Sequence, residues 1–397
     1  MQAPERFPAA LERGAPRGDP RMKIGVLKET REGETRVALV PDAVPKLLKL
    51  GVEILVEPGA GVASGFLDDA YEAKGAQVSA EAGSAEVVLA VQAPEPGRLS
   101  AGQVLASTMD PLGNPAGVQA LAEAGITGIA LELVPRISRA QAMDVLSSMA
   151  NVAGYKAVLM AAAASPKLFP LMMTAAGTVR PAKVFILGAG VAGLQAIATA
   201  RRLGAVVEAY DIRSDTKEQV ESLGAKFVEF DLGVGDQQDS GGYAKELTDE
   251  QKALQAKLMA EVIQAADAVI TTAQVPGRRA PRLIPEDVVE GMKPGAVVVD
   301  MAADSGGNCA YSKPGEEVVV NGVTILGPSN LPASVGSTTS QLFAQNLVAL
   351  LGLIVEDGAL SIDLEDEILA GAVVTKDGAV VHPRIQEALG AKQETQS

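Results

Sequence analysis

The stretch that decides the fold is KVFILGAGVAGLQAIATARRLGAVVEAYDIR, residues 183–213. Its apolar start is typical of a parallel strand buried on both faces, and three glycines follow at GxGxxG spacing. Gly188 would allow a tight turn, Gly190 would let the backbone approach a pyrophosphate, and Gly193 would bring a helix close to the strand. The pattern predicts strand, turn, helix and second strand, with the helix N-terminus facing a phosphate.

Asp211 follows the predicted second strand, 18 residues after Gly193. An acid about 20 residues beyond the glycine motif commonly binds the diol of an adenosine ribose. A carboxylate there repels a 2′-phosphate, so the sequence favours NAD over NADP, although the nearby Arg213 could accept such a phosphate. We therefore predict a site for NAD(H); the alternative is a glycine-rich turn that binds nothing.

Composition excludes several other kinds of protein. The 397 residues, 47% of them hydrophobic, are enough for two domains with their own cores. A formal net charge of −15 argues against nucleic acid or an anionic lipid surface as partner. One cysteine and one histidine leave little material for a disulfide or a metal site, so we predict no metal and a reducing, cytoplasmic compartment.

The longest apolar run near the C-terminus, residues 347–355, is far shorter than the ~20 residues that span a bilayer. We therefore predict no direct membrane insertion.

Strand and helix patterns alternate from Met22 onward, which is typical of parallel sheets. We expect an α/β fold of two doubly wound Rossmann-like domains with a nucleotide-binding cleft between them. An N-terminal domain would occupy residues 22–150, completed by 331–397, and an NAD(H)-binding domain would occupy residues 151–330. Residues 1–21, rich in Ala, Pro and Arg, are expected to form a disordered extension.

A long helical pattern at residues 138–164 would connect the two domains, with Ser138 as its N-cap and Gly154 as a point of interruption. Polar residues spaced by three would share one face of this helix and point to the cleft: Gln141, Asp144 and Ser147. The alternative is a solvated helix face.

The loop at residues 231–243 is polar and glycine-rich, and it is longer than the about 4–6 residues of a typical connection. Loops of this length often form lids, so Tyr243 would contact the ligand. The alternative is a solvated surface loop.

Several segments resemble the family of alanine dehydrogenases and nicotinamide nucleotide transhydrogenases. Beyond the glycine stretch, they are RISRAQAMDVLSS at 136–148, GGYAKE at 241–246, TTAQVPGRRAP at 271–281 and MAADSGGNC at 301–309. The resemblance extends from about Met22 to His382, and it is strongest toward the NAD(H)-binding components of proton-translocating transhydrogenases.

That resemblance implies an activity and an assembly. NADH bound here would transfer hydride to NADP⁺ held on a separate NADP(H)-binding subunit, while a membrane-spanning subunit translocates protons. It also implies a homodimer that docks on the inner, cytoplasmic face of the cell membrane.

The resemblance also implies site residues. Arg136, Gln141, Asp144 and Ser147 match nicotinamide-contacting positions, with Gln141 holding the ring and its ribose for transfer. The dinucleotide-binding positions cover the phosphate loop, the adenosine ribose, the lid and the rest of the pocket: Gly188, Ala189, Gly190, Val191, Gly193, Asp211, Ile212, Arg213, Gly242, Tyr243, Gln255, Thr272, Ala273 and Gln274. Gln274 stands where the family has leucine.

An alanine dehydrogenase-like oxidoreductase is the alternative within the family. The resemblance places Arg36 where such enzymes grip a keto-acid carboxylate, and Asp304 where a transhydrogenase has glutamate. However, Gln92 stands in place of the substrate-binding lysine, and the matching histidine is missing. Hydride exchange between two nicotinamide rings needs no acid or base at the reacting carbon, so these absences favour the transhydrogenase. A non-catalytic NAD-binding module is the other alternative.

Overall fold

The computed structural model describes residues 21–231, 248–275 and 277–396, with side chains up to residue 390. The expected N-terminal extension lies outside these residues except for Arg21. The lid positions Gly242 and Tyr243 also lie outside them.

The first sheet is built from both ends of the chain, in the order β19-β18-β6-β5-β4-β1-β2-β3 among the described residues. Its strands are β1 (Lys23–Val26), β2 (Glu53–Val56), β3 (Gln77–Val78), β4 (Val87–Gln92), β5 (Val104–Thr108), β6 (Thr127–Ala130), β18 (Val373–Lys376) and β19 (Ala379–Val380). Strands β1 to β6 pair in parallel, and β18 adds to β6 in the antiparallel direction. The C-terminal segment therefore returns to this sheet.

The second sheet has the order β11-β10-β9-β12-β13-β15-β14 in the described portion of the chain. Its strands are β9 (Lys183–Leu187), β10 (Val206–Tyr210), β11 (Lys226–Phe227), β12 (Ala268–Thr271), β13 (Val297–Asp300), β14 (Glu317–Val320) and β15 (Val323–Leu326). All pairs are parallel except β14 with β15. The bounds of β9 and β10 confirm the prediction from the glycine stretch.

Helices cover these sheets. The described α-helices are α1 (Val44–Leu48), α2 (Asp68–Glu72), α3 (Pro115–Glu123), α4 (Val145–Ala164), α5 (Val191–Arg202), α6 (Lys217–Ser222), α7 (Asp249–Ala265), α8 (Glu286–Glu290), α9 (Gly336–Ile354), α10 (Glu367–Ala372) and α11 (Pro383–Gln396). Two small hairpins, β7 (Met172–Thr174) with β8 (Gly177–Val179) and β16 (Val355–Glu356) with β17 (Ala359–Leu360), stand outside the main sheets.

Helix α4 connects the two domains. Val145 and Met149 in its first half are buried in the core of the first sheet, whereas Ala157 and Ala161 are buried against the second. By length and composition α4 would also qualify as a membrane span, and the residues of it that are buried pack into both cores.

Two expectations about this segment are wrong. The helix begins after Asp144 rather than Ser138, because the Asp144 carboxylate accepts the Ser147 N–H and residues Ser138–Met143 form a 3-10 helix. The helix also continues through Gly154, where the missing side chain lets α4 lie directly against α5.

Because α4 and α5 cross at Gly154, we expect one added methyl group at this residue to lower the stability of the protein. A Cβ on Gly154 would overlap the backbone carbonyl of Ala192, which has no flexible side chain to move aside. We expect Gly154→Ala to lower the free energy of unfolding by about 1–3 kcal/mol, measured by urea denaturation.

Gly352→Ala is the matched control, because it also adds a methyl group within a helix but has no atom within 4 Å of the new Cβ. This variant should stabilise the protein by up to about 1 kcal/mol through helix propensity. Equal effects of the two substitutions would contradict close packing at Gly154.

Candidate nucleotide-binding site

The candidate site lies where the strand order of the second sheet changes direction. The chain passes from β9 to β10 on one side, and β12 pairs with β9 on the other. Gly188, Asp211 and Thr272 follow these three strands directly, so they meet at one edge of the sheet. The Thr272 hydroxyl donates to the Gly188 carbonyl at 3.1 Å. Such a switch point is where doubly wound sheets bind their ligands.

The glycine loop leaves room for a phosphate. Gly188 has a φ of 99°, and a Cβ on Gly193 would overlap the Gly188 carbonyl, so both positions require glycine. Nothing lies within 4 Å of a Cβ on Gly190, which leaves open space above the loop. Helix α5 begins at Val191 without a side-chain cap, and its first N–H groups are therefore available to an anion. These features fit a pyrophosphate.

Asp211 lies beside this loop at the end of β10. Its carboxylate accepts the Ala189 N–H at 2.7 Å, and its side chain is only 7% exposed. Burial alone would raise the pKa of Asp211, but hydrogen bonds from the Arg213 side chain and from the N–H groups of Arg213 and Ala189 lower it below its usual value. The neighbouring Ile212 is 87% exposed and so can cover a ligand.

Two predicted pocket residues are fixed around this edge. The Gln255 amide donates to the Tyr210 hydroxyl at 2.7 Å, which places α7 beside the end of β10. The Gln274 amide donates to the Met301 carbonyl at 2.7 Å.

Sequence reasoning missed Asn308, which is wholly buried and donates to the Ala273 carbonyl at 2.9 Å. It supports the loop after β12. Its only signal was its place after two glycines in the MAADSGGNC segment.

The predicted nicotinamide residues lie at the start of α4. Arg136 and Gln141 are exposed, and their side chains form no hydrogen bond with any other described residue. Asp144 and Ser147 instead bind each other, with the hydroxyl donating to the carboxylate at 2.6 Å. The expected single helical face is wrong, because Gln141 belongs to the 3-10 helix and Asp144 is the cap.

This segment is held by the first domain. The Asn346 amide of α9 donates to the Ala142 carbonyl at 2.8 Å, and the Arg139 guanidinium donates to the Asp366 carboxylate at 2.7 Å. Gln141 therefore sits on a supported turn while its own side chain has no bond to another described residue.

The residues that bear on an alanine dehydrogenase-like activity, Arg36, Gln92 and Asp304, are each hydrogen-bonded to other residues of the protein. Arg36 donates to Glu34 through Nε at 2.8 Å and through Nη2 at 2.6 Å, and also to Asn330 at 3.2 Å. The Gln92 amide donates to Glu34 at 2.9 Å. Burial alone would raise the pKa of Glu34, but the bonds from Arg36 dominate and lower it to about 2. Asp304 is exposed and accepts the Ser329 hydroxyl at 2.6 Å.

Glu29, beside this group, predicts a measurable pH effect. Burial and the nearby Glu34 raise its pKa to about 7 from an ordinary value of 4.5. A carboxyl group with a raised native pKa stabilises the fold at low pH and loses that contribution as the pH rises from about 4.5 to about 7. As the pH rises from 4.5 to 8, the free energy of unfolding of Glu29→Gln should increase relative to that of wild type by about 1–3 kcal/mol. The measurement is urea denaturation at each pH.

The control is Glu32→Gln, which removes an exposed carboxyl from the same loop. Its stability profile should run parallel to that of wild type. A parallel profile for Glu29→Gln as well would show that Glu29 is ionised in the folded protein throughout this range.

Comparison with known proteins identifies the family. The family model described as "Alanine dehydrogenase/PNT, N-terminal domain" matches residues 25–153, and its C-terminal counterpart matches residues 157–383. The chain is 48% identical over 379 residues to an NAD(P) transhydrogenase alpha-subunit chain of Rhodospirillum rubrum, covering 92% of this chain and 99% of that protein. Alanine dehydrogenase of Mycobacterium tuberculosis is 31% identical, covering 93% and 97% of the two chains.

A solved transhydrogenase from Sinorhizobium meliloti superposes with a TM-score of 0.83 at 47% identity, covering 90% of this chain and all of that one. These matches confirm the two-domain α/β fold and the resemblance read from the sequence. The chain belongs to the alanine dehydrogenase/PNT family, in which it is more similar to transhydrogenase alpha subunits than to the alanine dehydrogenase.

Proposed function

We propose that this chain is the NAD(H)-binding component of a proton-translocating transhydrogenase. One observation carries the proposal. An uncapped helix N-terminus, open space above Gly190 and the Asp211 carboxylate lie together at the switch point of the second sheet. The similarity to transhydrogenase alpha subunits supports the same function.

Different residues of the site would bind different parts of the dinucleotide. The N–H groups of Gly190 and Val191 would hold the pyrophosphate, whereas the Ala189 N–H is already donated to Asp211. Asp211 would accept the hydroxyl groups of the adenosine ribose. Ile212 and Gln255 would flank the adenosine, and the loop Thr272–Gln274 would line the path toward the nicotinamide. Gly242 and Tyr243 stay predicted lid residues.

The exposed side chains at the start of α4 would act on the nicotinamide end. When bound, the dinucleotide supplies a hydride from its nicotinamide ring. Gln141 would hold the ring and ribose in place, and Arg136 would steady them, while Asp144 and Ser147 keep the turn in shape through their mutual hydrogen bond. Each ring gains or loses only a hydride, so no acid or base is required at the reacting carbon. Positioning the two rings and excluding water can supply on the order of 7–11 kcal/mol.

The partner proposals rest on one motif. The sequence contains a single GxGxxG stretch, so NADP(H) would bind to another subunit, and a membrane-spanning subunit would carry the protons. The Rhodospirillum rubrum relative is named as the first portion of an alpha subunit, which fits a protein divided among several chains. We further propose a homodimer on the cytoplasmic, inner face of the membrane.

A second candidate, an alanine dehydrogenase-like activity, is favoured by the presence of Arg36 and Asp304 near the same connection between the domains. Arg36 contacts Asn330, and Asp304 contacts Ser329. Against it, the Arg36 guanidinium is already paired with a buried carboxylate, and Gln92 cannot replace a lysine cation. A transhydrogenase therefore agrees better with the arrangement.

The test is Gln141→Asn, which shortens the side chain by one methylene and withdraws its amide from the ring. We expect NADH affinity within about twofold of wild type, because the adenosine and pyrophosphate contacts remain. Hydride transfer should slow by at least about tenfold, since a displacement near 1 Å can cost more than that. Transfer is measured in a single turnover with an NADP⁺-loaded NADP(H)-binding component of a related transhydrogenase.

Gln119→Asn provides the control, because it makes the same substitution on the exposed face of α3. It should alter neither affinity nor rate. NADH binding without any transfer in the wild-type protein would favour a non-catalytic module, and oxidation of NADH by pyruvate with ammonium would favour the alanine dehydrogenase-like activity.

A further inference from the structure

The Asp211 carboxylate already has a complete set of hydrogen-bond donors. Oδ2 accepts the Ala189 N–H at 2.7 Å and Arg213 Nη2 at 3.0 Å. Oδ1 accepts the Arg213 backbone N–H at 2.9 Å and Arg213 Nε at 3.0 Å. A carboxylate offers about four acceptor positions, two on each oxygen. All of them are therefore occupied before a ligand arrives.

These four bonds are of two kinds. The two backbone donors are fixed by the turn after β9 and by the start of the loop after β10. The two guanidinium donors belong to a side chain that is 55% exposed, and its pair with Asp211 is its only ion pair among the described residues. Only the guanidinium can leave without disturbing the fold.

The guanidinium edge resembles the group that Asp211 is expected to bind. Nε and Nη2 of an arginine present two donors side by side to the two oxygens of a carboxylate. The adjacent 2′- and 3′-hydroxyl groups of a ribose offer the same pattern of two neighbouring donors. Both cannot occupy the same two acceptor positions at once.

We propose that Arg213 is an internal competitor for the ribose site, which a nucleotide must displace from Asp211 before its diol can bind. This inference rests on the proposed NAD(H) site and reverses the role expected of Arg213. The side chain weakens the binding of a free diol rather than supporting it. While Arg213 is paired with Asp211, it supplies two of the four hydrogen bonds that this buried carboxylate accepts.

The displaced guanidinium also affects specificity. Once released, it remains on the residue two positions beyond Asp211 and carries a positive charge close to the ribose. That charge attracts a 2′-phosphate, whereas Asp211 repels it. Arg213 therefore narrows the difference in affinity between ligands with a free diol and ligands with a 2′-phosphate.

The experiment is calorimetric titration of the full chain with ADP-ribose and with its 2′-phosphorylated form, neither of which contains nicotinamide. Arg213→Met removes the donors and the charge while keeping a long, flexible side chain. We expect it to bind ADP-ribose about two- to fivefold more tightly than wild type, because the competing guanidinium is exposed to solvent and is held only weakly. It should bind the 2′-phosphorylated ligand more weakly than wild type does.

Lys217→Met is the matched control, because it removes a positive charge four residues away that pairs with Glu229 and not with Asp211. It should leave the ADP-ribose affinity unchanged. Equal or weaker binding of ADP-ribose by Arg213→Met would overturn this inference while leaving the NAD(H) site intact. Failure of the wild-type protein to bind ADP-ribose would instead overturn the proposed function, and this inference with it.

Discussion

The close approach of helix α5 to the turn after β9 is the constraint on which the rest of the site depends. Gly193 touches the Gly188 carbonyl, and Gly154 of α4 touches the Ala192 carbonyl, so side chains at these glycines would force the elements apart. The start of α5 is consequently pressed between a strand and a second helix. Its free N–H groups are aimed at the crevice by packing alone, with no side chain needed to orient them.

The same packing fixes the distance between the two halves of the site. Helix α4 runs from its cap at Asp144 to its contact with α5 at Gly154, which is ten residues or about 15 Å. Because each end of α4 is buried in a different core, a change in the angle between the domains must bend it or move it. The other connection is anchored as well, since Asn330 bonds to both Glu34 and Arg36. The turn that carries Gln141 is therefore held at a set distance from the phosphate loop.

The sequence was sufficient where the determining contacts are local. The glycine spacing predicted β9, α5, β10 and the position of Asp211, because each depends on neighbours within one turn or strand. It was insufficient at residues 138–144, where a spacing of three fits a 3-10 helix as well as an α-helix, and only the Asp144 cap decides between them. The hairpin β7–β8 was missed because its exposed residues include Met173, and apolar side chains on a solvated hairpin give no alternating pattern.

Side-chain pairing could not be predicted from spacing at all, and the two arginine–carboxylate pairs show why. Glu34 with Arg36 and Asp211 with Arg213 share the same separation of two residues and the same forked geometry. The side chains of Glu34 and Arg36 are almost wholly buried, so separating them would strand a buried charge at a cost of about 3–5 kcal/mol. Arg213 is 55% exposed and can move into water, and the Asp211 carboxylate that it leaves still accepts the backbone N–H groups of Ala189 and Arg213. Solvent access depends on the whole fold. It keeps the buried Glu34–Arg36 pair together and leaves the guanidinium of Arg213 free to exchange with a ligand.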